Sequence, residues 1–130
     1  MSDTPGSRMS VMVVDDESGM RALVKRCLAT DFEVIEAASG AEALTLAETS
    51  GRLGLLIMDE LMPGMEGHEV ARRFRVKDPD LKVLYLTGHA DHLFDEKKQM
   101  WELEAYLDKP FTAEGLRQAI AQLVFGRQIL

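Results

Sequence analysis

Two spacings of apolar residues alternate along this chain. Ser10–Val14 is nearly all apolar, and it is followed by Met20, Leu23, Val24, Cys27 and Leu28 at the i, i+3, i+4, i+7, i+8 spacing of a helix. The alternation then repeats. "FEVIEA" reads as a strand, and Ser39 with Glu42 forms a capping box that opens a helix through Ala43, Leu44 and Ala47. "LGLLIM" is a third strand, and a loop carrying Pro63, Gly64 and Gly67 leads into a helix with Val70, Ala71 and Phe74 that Asp78-Pro79 ends. "KVLYL" is the fourth strand. A fourth helix over about Asp91–Trp101 is the least regular, "AYL" makes a short fifth strand, and Leu116, Ala119, Ile120, Leu123 and Val124 give the last helix a clean apolar stripe.

Five strand–helix units in succession imply a parallel sheet with right-handed crossovers and helices on both faces. The strands beginning at Val11, Leu53 and Val83 are almost wholly apolar, as strands covered on both faces must be. "FEVIEA" carries Glu33 and Glu36, and "AYL" is short, so strands two and five read as edges. The expected fold is therefore α/β, a doubly wound, flavodoxin-like (βα)5 sheet in the order 2-1-3-4-5. In such sheets ligands bind beyond the carboxyl ends of the strands where the order reverses, between strands one and three.

Composition narrows this picture without changing it. A chain of 130 residues, 46% hydrophobic and 28% charged, suits one soluble domain with one core. Residues 1–9 read as a flexible polar leader and not a signal peptide, residues 10–125 as the domain and 126–130 as a tail. No apolar run is long enough to cross a bilayer, which gives the expectation of a cytoplasmic protein with no membrane partner. The net charge of -7 argues against direct binding of nucleic acid, which needs a basic face. The single cysteine, Cys27, falls in an apolar helical pattern and reads as a small core residue.

The polar residues that follow the strands supply the chemistry. Asp15 and Asp16 follow strand one, Asp59 strand three, Thr87 strand four and Lys109 strand five, so all five come to one edge of the sheet. Two carboxylates about 4 Å apart repel by roughly 4 kcal/mol at the effective dielectric of a protein surface, so three of them need an offset. Three carboxylates and one lysine leave two negative charges, which one divalent cation would neutralise. An all-oxygen set with few carboxylates suits Mg²⁺ completed by waters.

These residues resemble the receiver domain of bacterial two-component response regulators, and the resemblance runs from about Ser10 to Val124. It rests on "VVDDES", "MDELMPGMEG", "LTG" and "LDKPFT", in that order and at the family's distances. The resemblance implies that Asp59 is the phosphoacceptor, taking a phosphoryl group from a phosphohistidine on a sensor histidine kinase or histidine phosphotransfer protein. It implies that Asp16 and Asp59 hold Mg²⁺ directly, Asp15 through water, and that the Leu61 carbonyl is a further ligand. Thr87 and Lys109 would contact the phosphoryl group, and Gly88 would leave it room. Leu61 and His89 occupy the positions that tune its lifetime in the family, and Tyr106 that of a switch aromatic. The resemblance also implies a cis Lys109–Pro110 peptide, and a homodimer or partner surface on the fourth helix, fifth strand and last helix. The domain would then be a signalling receiver, not a metabolic enzyme, although it catalyses its own phosphorylation and dephosphorylation. A somewhat weaker likeness points to receivers of hybrid histidine kinases.

Two other functions fit parts of this pattern. A haloacid-dehalogenase-type phosphohydrolase also uses Asp and Mg²⁺, but it needs an Asp-x-Asp where this chain has adjacent aspartates. A pseudo-receiver acting as a phosphorylation-independent interaction module usually lacks one of the acids or the lysine, and here all are present. His89 and His92 in "HADH" lack a third soft ligand for zinc, and His68 lacks the partner of an H-E-x-x-H motif. The turn before strand five usually contains glycine in the family, and "WELEA" has none.

Overall fold

The alternation of side chains along each central strand builds two cores, one on each face of the sheet. Met12, Val14, Leu56, Met58, Val83 and Tyr85 point to one side, where they meet Ala43, Val70, Ala71 and Phe74. Val11, Val13, Leu55, Ile57, Leu84 and Leu86 point to the other, against Val24, Leu28, Leu116, Ile120 and Leu123. This double burial is why the strands read as continuous apolar runs. The computed structural model describes residues 8–88 and 103–126. The expected fourth helix, His89, most of the leader and most of the tail lie outside these residues.

Among the described residues there are nine elements: β1 (Ser10–Val14), α1 (Ser18–Leu28), β2 (Glu33–Ala37), α2 (Gly40–Ala47), β3 (Leu55–Asp59), α3 (Gly67–Lys77), β4 (Val83–Thr87), β5 (Glu104–Asp108) and the last helix (Ala113–Phe125). The five strands are parallel and lie in the order β2-β1-β3-β4-β5, the doubly wound arrangement expected. Strands β2 and β5 are edges. Strand β5 is nevertheless five residues long, like the rest, because Glu104 and Asp108 extend the apolar "AYL". Strand β3 begins at Leu55, not Leu53, and runs on through Asp59, so this acid is the last residue of the strand.

Local chemistry sets the helix ends. Ser39 caps α2 by accepting the Glu42 amide at 3.1 Å, and the Glu42 carboxylate accepts the Ala38 amide at 2.6 Å, one residue earlier than an ideal capping box. Thr112 caps the last helix by accepting the Gly115 amide at 2.9 Å. That helix ends at Gly126, whose φ of +70° is the left-handed conformation glycine adopts without strain. In α1, Val24 and Leu28 are buried, whereas Leu23 of the predicted stripe is 37% exposed. Among the described residues, no helix is long and apolar enough to cross a membrane.

Candidate phosphoryl-transfer site

The parallel register brings five strand ends to one edge. Val14 pairs with Met58, Asp59 with Leu86, and Thr87 with Asp108, so Asp15, Asp59, Thr87 and Lys109 emerge within one residue of a common line. Asp15, Asp16 and Asp59 each offer a carboxylate oxygen such that these atoms lie within 4.8 Å of one another. The Lys109 ammonium lies 3.3 Å from Asp59 Oδ2 and 3.5 Å from Asp15 Oδ2. The Lys109–Pro110 peptide is cis.

The three acids differ in setting. Asp15 is 1% exposed, Asp59 half-buried and Asp16 exposed. Burial raises the Asp15 carboxyl above its ordinary value, against the Glu17 amide and the Lys109 ammonium, which both lower it. One oxygen is satisfied, since Asp15 Oδ1 accepts the Glu17 amide at 2.9 Å. The other, Oδ2, is buried and among the described residues has no hydrogen-bond partner, with the Lys109 ammonium at ion-pair distance. A buried carboxylate oxygen in that state is costly unless a cation completes its surroundings. The donor set, all oxygen with net negative charge, fits a hard divalent cation such as Mg²⁺. Burial pulls the Lys109 ammonium down, but the Asp15 and Asp59 carboxylates more than offset it, so its pKa is raised and it stays charged.

Both oxygens of Asp59 are oriented: Oδ1 accepts the Leu61 amide at 3.1 Å and Oδ2 faces the Lys109 ammonium at 3.3 Å. Thr87, 1% exposed, ends β4, and its carbonyl accepts the Lys109 amide at 2.8 Å, which ties the two strand ends together. Among the described residues, a Cβ placed at Gly88 would meet no atom within 4 Å. Leu61 is 38% exposed beside the acids. Tyr106 stacks on Tyr85, its cross-strand partner, with ring centroids 5.1 Å apart, and its hydroxyl is buried without a hydrogen-bond partner among the described residues. Burial and the nearby Glu104 and Glu60 push the Tyr106 hydroxyl up to about 12.

Sequence reasoning passed over several residues around this site. Arg21 of α1 donates to the Asp15 carbonyl at 2.6 Å and pairs with Glu36 at 3.3 Å, bracing the loop that carries both adjacent aspartates. Glu60, directly after Asp59, is 2% exposed and pairs with His68 at 2.7 Å. Glu104 pairs with Arg75 at 2.7 Å, which accounts for an acid at the start of β5. The signal for Arg21 was available, since a basic residue one turn into α1 lies close to the end of β1. The other pairs join residues brought together only by the strand register and the α3 turn.

A family model described as the response regulator receiver domain matches residues 11–121. The sporulation initiation phosphotransferase F of Bacillus subtilis is 30% identical over 112 residues, covering 85% of this chain and 89% of that protein. The sensor histidine kinase TmoS of Ectopseudomonas mendocina is 34% identical over 116 residues, 88% of this chain, which spans only 12% of that kinase. Among solved structures, the response regulator TrrA of Thermotoga maritima in complex with Mg²⁺ and BeF is 34% identical, with a TM-score of 0.71 over 88% of this chain and 98% of that one.

Proposed function

This chain belongs to the response regulator receiver domain family, the phosphoacceptor modules of two-component signalling, and from that premise we propose that Asp59 is its phosphoacceptor. The observation that carries the assignment is the position of Asp59, last in β3, with one oxygen on the Leu61 amide and the other on the Lys109 ammonium. The donor is a phosphohistidine of a sensor histidine kinase or phosphotransfer protein, or a small acyl phosphate. Asp15, Asp16, Asp59 and the Leu61 carbonyl would hold Mg²⁺, which when bound supplies positive charge toward the phosphoryl oxygens.

The chain's own groups account for the rest of the chemistry. An Asp59 carboxylate oxygen attacks phosphorus and forms the new O–P bond. With a phosphohistidine donor the P–N bond breaks and its electron pair leaves on the imidazole, which takes a proton; with an acyl phosphate the bridging P–O bond breaks and its electron pair leaves on the carboxylate. Lys109 remains an ammonium throughout and offsets charge on the phosphoryl oxygens, while the Thr87 hydroxyl and backbone amides donate to them. The aspartyl phosphate is later lost to water, so the domain catalyses its own loading and unloading. Drawing Thr87 toward the phosphoryl group frees space beside Tyr106, and the resulting change on β5 and the last helix is the signal a partner or second copy reads.

Intact mass spectrometry after treatment with acetyl phosphate and Mg²⁺ tests this reading. The wild-type chain should gain one acid-labile phosphoryl group, and Asp59→Asn should gain none. The same gain in the variant would place the acceptor elsewhere and overturn the assignment.

The lifetime of that group follows from Leu61. An apolar side chain at the mouth of the site cannot orient an attacking water, so the phosphorylated chain should lose its phosphoryl group slowly. One hydrogen bond to that water is worth about 1 kcal/mol, so Leu61→Asn should speed the loss about fivefold. Phosphate release from purified phosphorylated protein measures it. Equal rates would show that Leu61 does not control access of water.

A further inference from the structure

We infer that His68 is a positioning residue for the cation site: by holding the buried Glu60 carboxylate against the first turn of α3, it fixes the loop that presents the Leu61 carbonyl. The inference rests on the metal site proposed above. It begins with an acid that the phosphoryl-transfer chemistry leaves unused. Asp59 and Glu60 are adjacent, yet Glu60 is 2% exposed, with its carboxylate on His68 and its field reaching the hydroxyls of Tyr85 and Tyr106. A carboxylate buried to that degree persists only with close partners, because desolvation otherwise outweighs its attractions.

The partner is well placed. His68 Nδ1 lies 2.7 Å from Glu60 Oε2, hydrogen-bond distance, and with Glu60 ionised the ring nitrogen is the donor of that bond. The backbone is tied at the same place. The Gly67 amide donates to the Glu60 carbonyl at 2.9 Å, and a Cβ on Gly67 would come within 2.8 Å of the Asp59 carbonyl oxygen, so only glycine allows this approach. Residues 61–66 therefore form a loop closed at its base by a backbone bond and a side-chain pair on Glu60. Leu61 is the first residue of that loop.

Chain geometry connects this closure to the site. Leu61 is bonded directly to Glu60, and its amide is already committed to Asp59 Oδ1 at 3.1 Å. If Glu60 moved toward water, it would carry the Leu61 peptide with it, and the carbonyl ligand would no longer be preorganised. The histidine thus acts on the cation through Glu60, as residues that orient metal ligands do. Its ring also leans on Tyr85 at 5.6 Å and 51°, so packing alone is the competing account of its presence.

Isothermal calorimetry with Mg²⁺ alone, on the whole 130-residue chain, separates the two accounts. His68→Ala should bind Mg²⁺ about tenfold more weakly, the lower end of what losing a ligand-orienting partner costs. His68→Asn keeps a donor where Nδ1 stands but has no ring, and it should bind within about threefold of wild type. In acetyl phosphate assays, the Mg²⁺ concentration giving half the maximal rate should rise for His68→Ala while the plateau rate holds. Wild-type affinity in His68→Ala overturns the inference. So does His68→Asn binding as weakly as His68→Ala, or binding tenfold below wild type where the alanine variant does not fold, because the ring and not the hydrogen bond would then be at work. If the wild-type chain itself binds no Mg²⁺, the metal-site reading fails, and this inference with it.

Discussion

Lys109→Ala should phosphorylate at least about 100-fold more slowly than wild type at saturating Mg²⁺, the loss typical when one preorganised electrostatic group is removed from a transfer site. Among the described residues, Lys109 is the cation that touches both Asp15 and Asp59, at 3.5 and 3.3 Å. Charge on the transferring phosphoryl oxygens would then be met by one cation fewer. The same substitution should act in the opposite direction on metal binding. Without the ammonium the three acids carry three net negative charges in place of two, and a dication is attracted more strongly. If about 1 kcal/mol of that difference survives solvent screening, Mg²⁺ binds about fivefold tighter. Calorimetry and rapid-quench phosphorylation on the same preparation check both signs. A variant that loads within threefold of the wild-type rate would remove Lys109 from the chemistry.

The opposed signs arise because one residue serves two charge states of the site, and this dual role was partly visible in the sequence. Strand ends are readable wherever a strand is buried on both faces, since an unbroken apolar run stops where the chain leaves the core. That is how Asp15, Asp59 and Thr87 could be placed on one edge before any coordinates. The limits of that signal are equally physical. Leu53 is buried but precedes β3, because its residue packs in the turn where the Gly54 amide reaches the Ser10 carbonyl. Apolarity reports burial and not the ladder. Strand β5 looked short for the complementary reason: Glu104 belongs to it but is polar, and the Arg75 guanidinium that makes its half-burial tolerable is 29 residues away in sequence.

Sequence separation also hides the Glu60–His68 pair. Seven residues, 61–67, intervene, and the sequence sets His68 only against a metal-binding motif. Its actual partner lies across the loop from the first turn of α3. The Tyr85–Tyr106 stack depends on a parallel register that side-chain pattern alone does not specify, although both residues face the same side once Tyr85 is placed opposite Tyr106. Local patterns therefore located the acids, the threonine and the lysine that gather at one sheet edge, and tertiary pairing supplied the residues that hold them in place.

Asp15→Asn should stabilise the chain without metal and remove its stabilisation by Mg²⁺. Asparagine has the shape of aspartate and keeps the Oδ1 acceptor for the Glu17 amide, so the loop has no reason to move. What disappears is a charge that the fold disfavours. Burial is the largest influence on Asp15, it raises the carboxyl, and the neighbouring Asp59 adds to it, while the Glu17 amide and Lys109 offset only part. Lys109 keeps its closer contact with Asp59 at 3.3 Å, so little of its own stabilisation is forfeited. A gain of about 1 kcal/mol would raise the melting temperature by roughly 3–6 °C for a domain of this size. Scanning calorimetry in chelator and in millimolar Mg²⁺ should show the two proteins exchanging rank. The wild type is the less stable without metal and gains with it, because a ligand that binds only the folded chain stabilises it by mass action. If Asp15→Asn melts below wild type in chelator and still gains as much from Mg²⁺, Asp15 is a structural acid satisfied by its protein neighbours alone. The opposite ranking identifies a group kept at a cost to the fold, as expected where repelling acids are retained to receive a cation.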